Sequence, residues 1–160
     1  FEFTYGYIEA KIDIAETFFG THTALWLQGE NMGNVDGTGN DGAEIDVFES
    51  AWIGDYTKSV IHIDGYGKDH KANTRRWDAP NLHSGFHTFG LLWKENVLEV
   101  YYDGEFKTRY QGIWVPKVEE FLWLSTGASF GGPSNTNFSE RKVGEFTEAK
   151  VDYIRVWKVK

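Results

Sequence analysis

Apolar and polar residues alternate with a period of two along most of this chain, which constrains it to β-strands. From Tyr5 to Ile14, Ile8, Ala10, Ile12 and Ile14 fall on one face, with Tyr7, Glu9, Lys11 and Asp13 on the other. In segment 22–28, Leu25 and Leu27 oppose Ala24, Trp26 and Gln28. Segments 43–50, 57–64, 86–94, 97–103, 105–110, 121–128 and 145–158 also read as strands. Asp103-Gly104 predicts a hairpin, because a type I′ turn needs positive φ at both central residues. Stretches 29–42, 64–83 and 127–144 read as loops. About nine or ten short strands with turn punctuation predict an all-β fold, a jelly-roll sandwich of two antiparallel sheets. The outer face of one sheet would offer a groove for an extended polymer.

The length of 160 residues suits one domain with one core. Sixteen basic residues against 24 acidic ones leave a net charge of −8, which repels polyphosphates, so nucleic acid is not expected as a partner. No apolar run approaches the ~18 residues of a membrane span, and no membrane partner is expected. The chain has no Cys, which excludes disulfides and thiolate metal sites. The five His are scattered and lack Cys partners, so no metal site or cofactor is expected. Asp36 to Asp41 superficially suggests a Ca²⁺ loop, but Thr38 and Asp41 stand where an EF-hand needs a ligand and a glycine. Aromatic residues reach 17%. Most should fill the core, while some could line a groove, because flat rings with a polar edge suit the apolar faces of sugars.

The segment Gly42 to Ser50 carries three acids inside a strand-like run, Glu44, Asp46 and Glu49. Glu44 and Asp46 share a face, opposite Ile45 and Val47. Strict alternation would send Glu49 to the core side, where an unpaired carboxylate is costly. One extra residue at Val47 or Phe48 would return Glu49 to the acidic face and Phe48 to the core, so a β-bulge is predicted here. The outer acids would then stand roughly 13 Å apart at Cα, and their side chains could lean together. Retaining glycosidases need about 5–5.5 Å between carboxyls and inverting ones about 6.5–9.5 Å. The spacing alone does not choose between them. Three neighbouring acids repel, so at least one should hold its proton more tightly. A solvated acidic face or a cation site would use the same residues.

Glu44-Ile45-Asp46-Val47-Phe48-Glu49 resembles the E-x-D-x-x-E signature of glycoside hydrolase family 16, in the longer spacing of its laminarinase, agarase and carrageenase branch. Phe3 to Ile12, Ala24 to Leu27, Phe86 to Trp93, Val97 to Glu105 and Val151 to Trp157 also resemble family strands, in order along the chain. The resemblance implies a concanavalin-like jelly roll. It implies Glu44 as nucleophile, Asp46 as the residue that orients it, and Glu49 as acid/base. It further implies a secreted or extracellular protein acting on a β-linked polysaccharide, β-1,3- or mixed-linkage glucan first and marine galactan second. Family members carry strands before the one matching Phe3 to Ile12, so residues 1–160 are expected to be a single catalytic domain lacking its N-terminal strands. Many members hold a structural Ca²⁺ away from the cleft; none is predicted here.

Beyond the acids, Trp26 should face the groove opposite Leu25 and Leu27. His62 should do likewise between Ile61 and Ile63. Trp123 and Ser125, opposite Leu122 and Leu124, should line the far side, and Trp52 should form an end wall. The cluster Lys68, Lys71, Arg75 and Arg76 reads first as a solvated loop, with an acidic or sulfated glycan as the alternative. A monomeric endo-hydrolase is expected. A non-catalytic binding module and a transglycosylase remain alternatives on the same fold.

Overall fold

The structure, a computed structural model, describes residues 1–15, 21–50, 54–128 and 147–158. Eleven strands are seen among them: β1 (Glu2–Phe3), β2 (Gly6–Asp13), β3 (Thr21–Gln28), β4 (Glu44–Ser50), β5 (Tyr56–Ile63), β6 (Lys71–Asp78), β7 (Phe86–Lys94), β8 (Val97–Tyr102), β9 (Glu105–Gln111), β10 (Glu120–Ala128) and β11 (Lys150–Trp157). One short 3-10 turn, Gly112–Trp114, follows β9. The strands form two antiparallel sheets, ordered β1-β10-β3-β4-β5-β6 and β11-β2-β7-β8-β9.

The core lies between the sheets and follows the period-two pattern. Ile8, Ala10 and Ile12 of β2, Leu25 and Leu27 of β3, and Ile61 and Ile63 of β5 are fully buried. The β2 residues share their sheet with Phe89, Leu91 and Trp93 of β7, and together these pack against the β3 and β5 residues of the facing sheet. The hairpin after β8 forms as its sequence requires: Asp103 and Gly104 take φ values of 49° and 77°.

Strand β6 corrects the sequence reading, which placed 64–83 in a loop. It pairs with β5 from Tyr56 opposite Asp78 to Ile63 opposite Lys71. Only Trp77 of this strand is buried, with its Nε1 donating to Ser59 Oγ at 2.9 Å. The other positions, Ala72 apart, are polar or charged; β6 ends its sheet, and charges on an edge strand discourage further pairing. Such a strand has no alternating apolar face to reveal it.

The entrance to β4 is built from a close backbone approach. Gly29 donates to the Ala43 carbonyl at 3.0 Å. A Cβ on Gly29 would come within 2.8 Å of the Gly42 Cα, and Gly42 itself has φ 144°, so both positions require glycine. Glu120, at the start of β10, reaches this corner from the core. Its Oε1 accepts from the Ala43 N–H at 3.0 Å, while its buried Oε2 has no partner among the described residues. Burial pushes the Glu120 carboxyl up to about 8, outweighing the opposing pull of the Ala43 N–H.

This raised pKa sets a pH dependence. Between about 4.5 (the ordinary value) and about 8, the folded state holds a proton at Glu120 that the unfolded chain releases. Stability therefore falls as pH rises through that window and levels off above it. Glu120→Gln is expected to remove this contribution. The melting temperature of the variant, relative to the parent, should rise on going from pH 5 to pH 9 in thermal unfolding.

Candidate functional site

The bulge in β4 is present, at Val47. Leu25 of β3 stands opposite Phe48 while Trp26 stands opposite Asp46, leaving Val47 as the extra residue. Against β5 the same slip appears, because Asp46 faces Val60 and Glu49 faces Lys58. Val47 and Phe48 are both fully buried, and the Phe48 ring stacks on Phe89 of the facing sheet at 3.8 Å between centroids. Two successive inward side chains restore the parity that alternation alone would have broken. Glu49 thus returns to the outer face, its side chain 18% exposed, on the side of Glu44 and Asp46.

Strands on both sides of β4 complete the outer face. From β5, His62 stands opposite Glu44 and Lys58 opposite Glu49. His62 Nε2 lies 3.3 Å from Asp46 Oδ2 and 4.0 Å from Glu44 Oε1. The approach to Asp46 is close but poorly aligned, and the buried Oδ2 gains no directed donor from it. Lys58 Nζ pairs with Glu49 Oε2 at 2.9 Å. From β3, Trp26 pairs in register with Asp46 and, across the other edge, with Trp123 of β10. The two indoles stack at 5.4 Å with 14° between planes, and Trp26 Nε1 donates to Ser125 Oγ at 3.1 Å. Trp123 remains 45% exposed. Trp26, His62, Trp123 and Ser125 therefore share the outer face with the three acids. Trp52 lies outside the described residues.

Two residues without a sequence signal join this face. Asp64 and Gly65 both take positive φ, 62° and 67°, and turn the chain sharply after β5. Asp64 is buried, accepts from the Asp36 and Gly37 N–H groups, and pairs with Lys71 Nζ at 2.5 Å. These contacts hold its carboxyl below the usual range, the Lys71 contact contributing most. The segment that follows brings Tyr66 and His70 back over His62. His62 Nδ1 and His70 Nε2 are 2.8 Å apart, and the rings lie nearly parallel at 12°, side by side as a ring-to-ring hydrogen bond requires. Tyr66 lies beside Glu44, and its pKa is raised by burial and then by that carboxylate. His83 and His87 stay apart from this group: His87 bonds Asp103 and the Asn81 carbonyl, and His83 the Gly54 carbonyl.

The electrostatics follow from burial. Asp46 is pushed up to about 7, first by desolvation and then by the charges of Glu49 and Glu44, while His62 opposes the rise. This is the acid expected to hold its proton. At His62, burial lowers the pKa, but Asp46, Glu44 and Glu49 together outweigh it and leave it raised. Glu44, Asp46 and His62 also bring one potential ligand atom each within 4.8 Å of one another. We assign them no cation.

The structure is thus a two-sheet jelly roll whose bulged strand sets three acids on an outer face beside stacked indoles. A family model for glycosyl hydrolases family 16 matches residues 1–127, and the chain belongs to that family. No curated protein sequence matches it. Solved structures share its fold. An endo-acting O-glycanase of the human gut microbiota, associated with mucin breakdown, superposes with a TM-score of 0.79 at 21% identity, covering 100% of this chain and 59% of that one. The laminarinase catalytic domain of Thermotoga maritima gives 0.75 at 25% identity, covering 100% and 66%. The κ-carrageenase of Pseudoalteromonas carrageenovora gives 0.73 at 22%, covering 98% and 65%. The present chain thus spans about three fifths to two thirds of the length of these proteins.

The charge coupling across β4 and β5 is open to measurement. Asp46→Asn removes the largest of the groups that raise the His62 pKa, so an NMR titration of the His62 ring should show it falling in the variant. An unchanged His62 titration would contradict the contact.

Proposed function

We propose that this chain is the catalytic domain of an endo-acting, retaining hydrolase of a β-linked polysaccharide. The observation that supports it is the β4 bulge, which sets Glu44, Asp46 and Glu49 on one outer face beside the Trp26–Trp123 pair. Glu44 attacks the anomeric carbon and forms a glycosyl ester. Glu49 first protonates the leaving oxygen, then takes a proton from the water that cleaves the ester. Asp46 lies between them, and burial raises its pKa, which favours the protonated form and lessens the negative charge it adds to the pair. His62 and its partner His70 hold the far side of Asp46 and Glu44 in place. The strands β3 and β10 flank the acids on one side and β5 and β6 on the other. A polymer lying across the face can therefore extend both ways, which favours internal cleavage outside the cell, where such polymers occur. The backbone sugar is a β-glucan or, as the second reading, a β-galactan.

Glu44→Gln is expected to abolish release of reducing ends from the cognate glycan. Glu49→Gln should lower kcat by about 10²–10⁴-fold. NMR of the first product formed should show the β configuration retained. An inverted first product would refute the double displacement, and full activity in Glu44→Gln would refute the nucleophile. Oligosaccharide acceptors added to the assay separate hydrolysis from transglycosylation.

A further inference from the structure

Past Glu49, the outer face of β5 and β6 holds a pocket of about 220 Å³ lined by Tyr56, Thr57, Lys58, Thr74 and Arg76. It is smaller than the ~300 Å³ at which pockets begin to enclose a whole ligand, and suits one sugar ring or one substituent. Lys58 is opposite Glu49 on one side and Arg76 on the other, so the pocket lies one strand beyond the proposed acid/base. The Arg76 guanidinium sits 3.7 Å over the Tyr56 ring. Stacking of this kind fixes the guanidinium plane and leaves its in-plane N–H groups to form a fork. Among the described residues no carboxylate pairs with Arg76, whereas Lys58 is engaged with Glu49 and Lys71 with Asp64. An uncompensated guanidinium in a chain of net charge −8, placed at the rim of an acidic face, runs against the average field.

We propose that this pocket is a subsite for an anionic group on the glycan, a sulfate ester or a uronate carboxylate, bound by the Arg76 fork with Lys58 beside it. The proposal rests on the glycosidase reading above and narrows its substrate class toward acidic β-glycans. Both groups present two or more coplanar or near-coplanar oxygens to a guanidinium, which accepts them in bidentate fashion. Arg75, next in sequence, has the opposite strand parity and takes no part, and Lys68 stands exposed on the turn before β6.

The test uses the whole chain, its Arg76→Gln and Arg76→Lys variants, and three probes: a neutral β-1,3-glucan, a sulfated β-galactan and a β-linked uronate polymer. Reducing-end release and mobility in gels containing each polymer are both measured, at low and high salt. The ratio of acidic to neutral activity should fall about tenfold in Arg76→Gln, the worth of one charge-assisted bond. Arg76→Lys should recover part of it at low salt. The polymer that shows the effect distinguishes sulfate from carboxylate. Equal losses on all three polymers, or no loss on any, would overturn the subsite while leaving the hydrolase reading intact. If no polymer is cut, that reading fails, and gel retardation still decides the subsite: acidic polymers must slow the parent and must slow Arg76→Gln less.

Discussion

The inward pair Val47 and Phe48 holds the site together. A strand alternates its faces without exception unless a residue is inserted, and here the insertion is anchored by the Phe48 ring lying on Phe89 of the opposite sheet. That contact belongs to the core, yet it decides the address of a carboxylate on the surface. Without it, Glu49 would have to enter the apolar interior or the strand would have to slip against both neighbours. The packing of the sandwich and the chemistry of its outer face are therefore one problem, solved by the same two side chains.

Around this kink the protein spends charge in a graded way. Glu49 is matched by Lys58, Glu44 has Tyr66 beside it, and Asp46 has burial and the His62 ring. Three adjacent acids in identical surroundings would resist ionising together. Three acids in different surroundings can hold different protonation states at one pH. Glu120 adds a fourth environment beneath the strand, where it grips the amide just before Glu44 without adding charge to the row.

Much of this was legible in the residues. The faces of β2, β3, β5 and β7 follow from alternation, because each has a core side to enforce it. The bulge was legible for a less direct reason: three acids within six residues could share a face only if parity broke between them. Lys58 was within reach, since it lies two alternations before His62 on the same face. Strand β6 was not, because an edge exposed on both sides has no pattern to display. His70 and Tyr66 were not either, because their approach depends on a tight reversal at Asp64 and Gly65 and on the burial of Asp64 beneath it. Of the aromatic residues singled out, Trp26 and Trp123 share the groove face, and Trp77, to which no role was given, is a core residue tied to Ser59.

The parallel indoles of Trp26 and Trp123 have a consequence of a different kind. Two such chromophores 5.4 Å apart share their electronic excitation, so they behave optically as a single unit. A sugar ring settling on the exposed indole would alter that shared transition before any bond is broken. The indole pair would thus serve as a spectroscopic reporter, registering occupancy of this face independently of turnover.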